Sequence, residues 1–169
     1  MMKIKHWLLA CFALSLASCG RRDQMKALYA EADNALLQRK TMNGLNMQLQ
    51  YLPEGPNGGA PGELCFKLNV TAVDASNKIN ADFNQASYGV DTLFQLIMPG
   101  DTILPIHAMR IANGMYTGAE YLIVFDKARF ATTTTGRFVF RDWLFSNSRV
   151  EFNVKPAAVR AADSLSTRI

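Results

Sequence analysis

Glu120-Tyr121-Leu122-Ile123-Val124-Phe125 carries the densest strand signal in the chain. Five of its six residues are apolar or aromatic, and none is Gly or Pro. The run is too short for an ordinary helix, and its β-branched and aromatic content selects an extended conformation. As the strongest strand signal in the chain, it is predicted to lie in the interior of a sheet.

Alternation extends outward from this segment. Leu45, Met47, Leu49 and Tyr51 alternate with Asn46, Gln48 and Gln50, and Leu64, Phe66, Leu68 and Val70 alternate with Cys65, Lys67, Asn69 and Thr71. A period of two marks a strand with one buried face. This predicts that Leu64, Phe66, Leu68 and Val70 point inward and that Cys65 falls on the polar side. The Pro- and Gly-rich stretch from Pro53 to Gly62 is a loop between these strands. Asp74 to Tyr88 is polar and irregular. Thr92 to Met98 reads as a central strand, and Thr102 to Ile111 as an extended segment with an edge or a break at Pro105. Arg137 to Phe140 and Val150 to Val154 complete about seven strands separated by turns. Strand–helix alternation is missing, so a parallel α/β sheet does not fit. The pattern predicts a mainly β protein, an antiparallel β-sandwich of immunoglobulin-like or transthyretin-like kind.

One amphipathic helix is predicted ahead of the sandwich, over Gln24 to Lys40. Met25, Leu28, Tyr29, Ala32 and Leu36 form one stripe, Arg39-Lys40 suits the C-terminal dipole, and Asn43-Gly44 supplies the stop. The expected organisation is a removable leader over residues 1–18 and a helical N-terminal segment over 19–43. A sandwich domain over 44–156 follows, then a tail over 157–169 that forms at most a short helix with little to bury.

The N-terminus is an address signal. Lys3 and Lys5 precede the short apolar run His6 to Ser15, which closes on small residues in Leu16-Ala17-Ser18-Cys19. A spanning helix needs about 20 apolar residues, whereas a charged start, a short apolar centre and a small-residue end describe a signal peptide. The ending resembles the lipobox of bacterial lipoproteins. That resemblance implies cleavage before Cys19, a diacylglyceryl group on its thiol and an acyl chain on its amine. Two or more acyl chains anchor a protein stably where one does not. By similarity to lipoprotein sorting, in which an Asp after the lipidated cysteine retains a protein at the inner membrane and an acidic patch there sends it to the cell surface, the resemblance with Gly20 and the basic Arg21-Arg22 implies the outer membrane and a face toward the periplasm.

The 169-residue chain has formal charge +4, which falls to +2 once Lys3 and Lys5 are removed. No dense Lys/Arg run remains, so nucleic-acid binding has no electrostatic footprint. The cysteines are Cys11, Cys19 and Cys65, and the histidines are His6 and His107. This set is too sparse for a structural zinc site, which needs about four ligands. With Cys11 removed and Cys19 acylated, Cys65 is left single. His107 lacks a nucleophile elbow. Lys67, two residues from Cys65, is the one sequence hint of an activated thiol. Asp82, Asp91, Asp101, Glu120, Asp126 and Asp142 fall mainly in turns and at strand ends, where carboxylates serve local hydrogen bonds. No cofactor is implied, and the expectation is a non-catalytic protein.

What remains is a surface. Tyr88, Tyr116 and Trp143 are the candidate partner contacts, since aromatic anchors are favoured at interfaces, although a place in the core is the reading that suits Trp143 better. Leu68 to Ala72, Asn77 to Asn80, Met98 to Asp101 and Tyr121 to Lys127 are together similar in order and character to the small outer-membrane lipoproteins of type VI secretion systems. That similarity implies a lipidated sandwich that binds a larger envelope protein. The expected function is therefore a lipid-anchored structural or interaction module with an envelope protein partner. A ligand- or glycan-binding lipoprotein is the alternative.

Overall fold

The computed structural model describes residues 20–56, 58–74, 89–113 and 118–166. Cys19, Tyr88, Tyr116, the leader and most of the polar Asp74–Tyr88 stretch lie outside the described residues. The fold is an antiparallel β-sandwich with one helix near its N-terminus, as the alternation predicts.

A helix over residues 20–30, α1, leads into nine strands. These are β1 (Leu37–Met42), β2 (Leu45–Leu52), β3 (Glu63–Ala72), β4 (Phe94–Met98), β5 (Asp101–Ile103), β6 (His107–Ile111), β7 (Gly118–Asp126), β8 (Gly136–Asp142) and β9 (Ser148–Val154). One sheet runs β1-β2-β3-β7-β6 and the other β5-β4-β8-β9. A single helical turn, α2 (Lys127–Phe130), crosses between the sheets, and α3 (Pro156–Ser166) closes the chain. β7, built on the Glu120–Phe125 run, has β3 on one side and β6 on the other.

The core fills the space between the sheets. Leu64, Phe66, Leu68 and Val70 point into it as predicted, facing Phe94, Phe138, Phe140 and Phe152. Phe138 sits at the centre, with ring centroids 5.3 Å from Phe66, 5.8 Å from Phe94 and 6.0 Å from Phe125. Aromatic pairs at these separations add stabilisation beyond the area they bury.

Two of the nine strands were not expected. Thr102–Ile111 divides at Leu104-Pro105-Ile106, where the chain leaves one sheet and enters the other, so one predicted segment supplies two edge strands. The second difference is β1. The predicted helix over 24–40 ends at residue 30, followed by a 3-10 turn at Ala32–Asn34 and by Ala35 in the left-handed region at φ +56°. The Asn34 side-chain amide donates to the Leu28 carbonyl at 2.9 Å and satisfies the end of α1. Asn43 and Gly44 do not stop a helix. Both have positive φ, +51° and +77°, the geometry of a type I′ hairpin turn, for which Asn-Gly is the preferred pair. Arg39 and Lys40 therefore belong to a strand.

β1 also closes one side of the sandwich. The Gln38 amide donates to the Asn153 carbonyl at 2.7 Å and accepts from the Asn153 N–H at 3.1 Å. Lys40 Nζ donates to the Glu151 carbonyl. These side chains satisfy backbone groups of β9 that would otherwise form an open sheet edge.

The C-terminal segment corrects the expectation of a tail with little to bury. α3 begins with Pro156 at the position where a missing N–H costs least. It buries Pro156, Ala158, Val159, Ala162 and Asp163. No described helix is long and apolar enough to cross a membrane.

Candidate functional site

Polar chemistry concentrates where α3, α2 and the Pro53–Gly62 loop meet. Asp163 is 7 % exposed. Its carboxylate accepts from the Tyr51 hydroxyl at 2.7 Å, the Glu54 N–H at 3.0 Å and Lys127 Nζ at 2.7 Å. Lys127 also donates to Glu54 Oε1, which takes the Gly62 N–H at 3.1 Å. The Lys127 N–H closes the loop by donating to the Gly62 carbonyl at 3.1 Å. The Lys127 hydrogen bond holds the Glu54 carboxyl below the usual carboxylate range, against partial burial. Burial works against the Lys127 charge, but its bonds to Asp163 and Glu54 outweigh it and raise the ammonium above its ordinary value. Tyr51 is driven far up by burial and by its bond to Asp163. Every group here is engaged by another, so the network serves to fasten α3 and the loop to the sandwich. Sequence reasoning missed it because its four members are separated by up to 112 positions.

The same loop explains Cys65. Its side chain lies on the outer face of the sheet, as the alternation requires, yet it is 2 % exposed. Gly59 lies so close over it that a Cβ there would sit 3.0 Å from the Cys65 Cβ. Burial, with the nearby Glu63 charge, pushes the thiol up to about 11. Lys67 does not activate it and pairs instead with Glu120 at 3.2 Å. Cys65 is a covered thiol in the setting of a structural cysteine.

The other sequence candidates disperse. Asp101 pairs with Arg129 at 2.7 Å, and Asp126 caps α2 by accepting from the Ala128 N–H at 2.9 Å. His107 is exposed at the start of β6. Among the described residues no group of three or more His, Cys, Asp or Glu side chains could hold a metal ion.

Trp143 stands apart. It is 55 % exposed, so the core role does not apply. It occupies the turn between β8 and β9, which is built on a buried carboxylate. Asp142 is 1 % exposed and accepts from the Phe145 N–H at 2.9 Å, the Ser146 N–H at 2.8 Å and the Ser146 hydroxyl at 2.5 Å. Asn147 completes the turn at φ +49°, a conformation that Asn tolerates better than most residues. The indole is thus displayed on a firmly bonded turn. Sequence alone gives no sign of this, because Asp142 reads as an ordinary strand-end carboxylate.

No family model, curated protein or solved structure matches this chain. Function must therefore be argued from the surfaces.

These surfaces have a polarity along the sandwich. β8 starts beside α2 and the Lys127 network and runs seven residues to Asp142, about 20 Å at roughly 3.3 Å per residue. α1 belongs to the starting end, where the Tyr29 hydroxyl donates to the Tyr51 carbonyl at 2.6 Å. Trp143 is at the other. A second apolar patch, Leu104 and Ile106 at 62 % exposure and Met109 at 44 %, lines the β5–β6 crossover and edge strand β6.

Proposed function

We propose that this protein is a lipid-anchored envelope protein, tethered through Cys19 to the outer membrane and facing the periplasm. Its role is that of a non-catalytic interaction module that engages an envelope protein partner. The observation that carries the reading is Trp143, a large apolar side chain held out on a turn fastened by Asp142. It lies at the end of the sandwich away from α1 and hence from the proposed tether. Trp is enriched among the residues that dominate binding energy, and a loop on a rigid scaffold is the usual place for such a residue. The Leu104–Met109 patch is a further surface for the same role.

The test combines mass spectrometry of the Cys19 peptide with affinity isolation of the intact protein from membranes, as wild type and as Trp143→Ala. The expected result is a lipidated Cys19 and a stoichiometric protein partner whose yield falls at least tenfold in the variant. An unmodified Cys19 removes the tether, and a partner yield unchanged by Trp143→Ala removes the contact. The exposed indole also suits stacking on a sugar ring, so a ligand- or glycan-binding lipoprotein is the second reading. A saturable glycan-array signal, with no protein partner recovered, selects it.

A further inference from the structure

α1 is an amphipathic helix whose apolar stripe is only half covered. Met25, Leu28 and Tyr29 are of intermediate exposure, and no residue of 20–30 is buried. A surface helix ordinarily buries this stripe against the core. Here a groove of about 590 Å³ runs beside it. Met25 and Tyr29 of α1, Leu37 and Leu52 on the outer face of β1 and β2, and Pro53 and Pro56 of the loop form its walls. The volume lies within the range of ligand sites, about 300–1,000 Å³. Its lining is dominated by carbon, the lining an alkyl chain needs.

The position of the chain start selects the occupant. α1 is continuous from residue 20, immediately after Cys19. Met25 lies five residues farther along, about 7–8 Å at 1.5 Å per residue. A long acyl chain attached to Cys19 spans that distance with length to spare. We propose that the groove holds one acyl chain of the lipid on Cys19, which rests on the reading of Cys19 as lipidated. The chain completes the burial of Met25 and Tyr29, and the remaining chains insert in the bilayer. The α1 end of the sandwich is thereby held against the membrane, and the Trp143 turn is directed away from it.

The test has two arms. In the first, the mature chain from residue 19 carrying Cys19→Ser, and therefore no lipid, is titrated with the fluorescent fatty acid cis-parinaric acid. One equivalent is expected to bind saturably. Leu52→Glu or Met25→Glu in the same background should weaken binding at least tenfold, with unchanged circular dichroism. In the second, hydrogen exchange over residues 20–30 is compared between the lipidated protein in nanodiscs and the Cys19→Ser chain. Exchange is expected to slow at least tenfold in the lipidated protein, and the slowing should be lost in lipidated Leu52→Glu. A Cys19→Ser chain that binds no probe overturns the proposal, as does slowing that survives Leu52→Glu, which would come from the membrane and not the groove. The mass of the Cys19 peptide reports separately on the lipid: an unmodified Cys19 defeats the tether and this proposal, while probe binding still reads the groove itself.

Discussion

Replacing Asp163 with Ala tests whether polar fastening, and not apolar contact alone, holds α3 to the sandwich. The carboxylate satisfies the Tyr51 hydroxyl, the Glu54 N–H and one side of Lys127. Its removal leaves a buried hydroxyl without an acceptor, which costs about 1–3 kcal/mol. Removing one member of a buried ion pair costs about 3–5 kcal/mol, but Lys127 keeps Glu54 and its side chain is 20 % exposed, so the lower end applies. The two effects share one carboxylate and are not summed; the expected loss is about 3 kcal/mol. For a chain of this size the midpoint of thermal unfolding should fall about 2–4 °C per kcal/mol. Urea unfolding followed by circular dichroism measures the loss, and hydrogen exchange over 156–166 locates it. A loss below about 1 kcal/mol, with α3 still as protected as in the wild type, refutes the reasoning, because Ala158, Val159 and Ala162 would then hold the helix by themselves.

The same network gives a pH dependence. Glu54 has a lowered pKa, so its contribution is present above the unfolded carboxylate range and lost as pH falls through the folded value. Lys127 has a raised pKa, and its contribution is present below the unfolded lysine value and lost as pH rises through the folded one. The stability difference between wild type and Lys127→Met should therefore be flat around neutral pH and shrink at both extremes in pH-dependent urea titrations. Cys65 should react with a disulfide reagent at pH 8 only on unfolding or opening of the loop. Gly58→Ala should speed the reaction at least tenfold, since its Cβ would fall 1.8 Å from the Pro53 carbonyl oxygen. Gln38→Ala should cost about 1 kcal/mol for its hydrogen bonds and raise hydrogen exchange over 151–154 first. Trp143→Ala, at an exposed site, should change stability by less than about 0.5 kcal/mol while reducing partner recovery.

The parts of the fold legible in sequence are those in which one strand carries its own pattern. β2, β3, β7 and β9 each alternate or saturate with apolar residues, and each lies where its pattern puts it. β1 was not legible because its inward face carries Gln38 and Lys40 with only Met42 apolar, and its outward face carries Leu37 with Arg39 and Thr41, so neither face shows the apolar alternation of a half-buried strand. Gln38 and Lys40 instead bond the edge of β9, a partner 111 to 115 positions away. The helical stripe over 24–36 was correct as far as Tyr29, and the turn at Asn34-Ala35 that ends it rests on a side-chain bond that no periodicity shows. α3 has only Val159 and Leu165 as larger apolar residues, and its docking also depends on small side chains and on Asp163, whose partners come from three other elements.

The candidate surfaces were less legible for a related reason. Trp143 stands exposed on a turn that Asp142 fastens through the Phe145 N–H, the Ser146 N–H and the Ser146 hydroxyl. An aromatic residue in Arg141-Asp142-Trp143-Leu144-Phe145 has no sequence mark to separate display from burial. Lipobox and groove stand in the opposite relation. Cys19 is conspicuous in sequence and silent about the fold, whereas the space beside Met25, Leu37 and Leu52 exists only once α1 lies over the hairpin. In the proposed arrangement the two meet, because α1 follows Cys19 directly and forms one wall of the groove. If an acyl chain fills that space, the helix cannot swing freely about its junction, and the lipid sets the direction in which the sandwich faces. Orientation then depends on residues at the membrane end, and Met25→Glu should alter partner engagement at Trp143 without touching it. Crosslinking from position 143 in membranes reads this directly: efficiency unchanged by Met25→Glu would mean that the tether is flexible and that the groove has no part in presenting the turn.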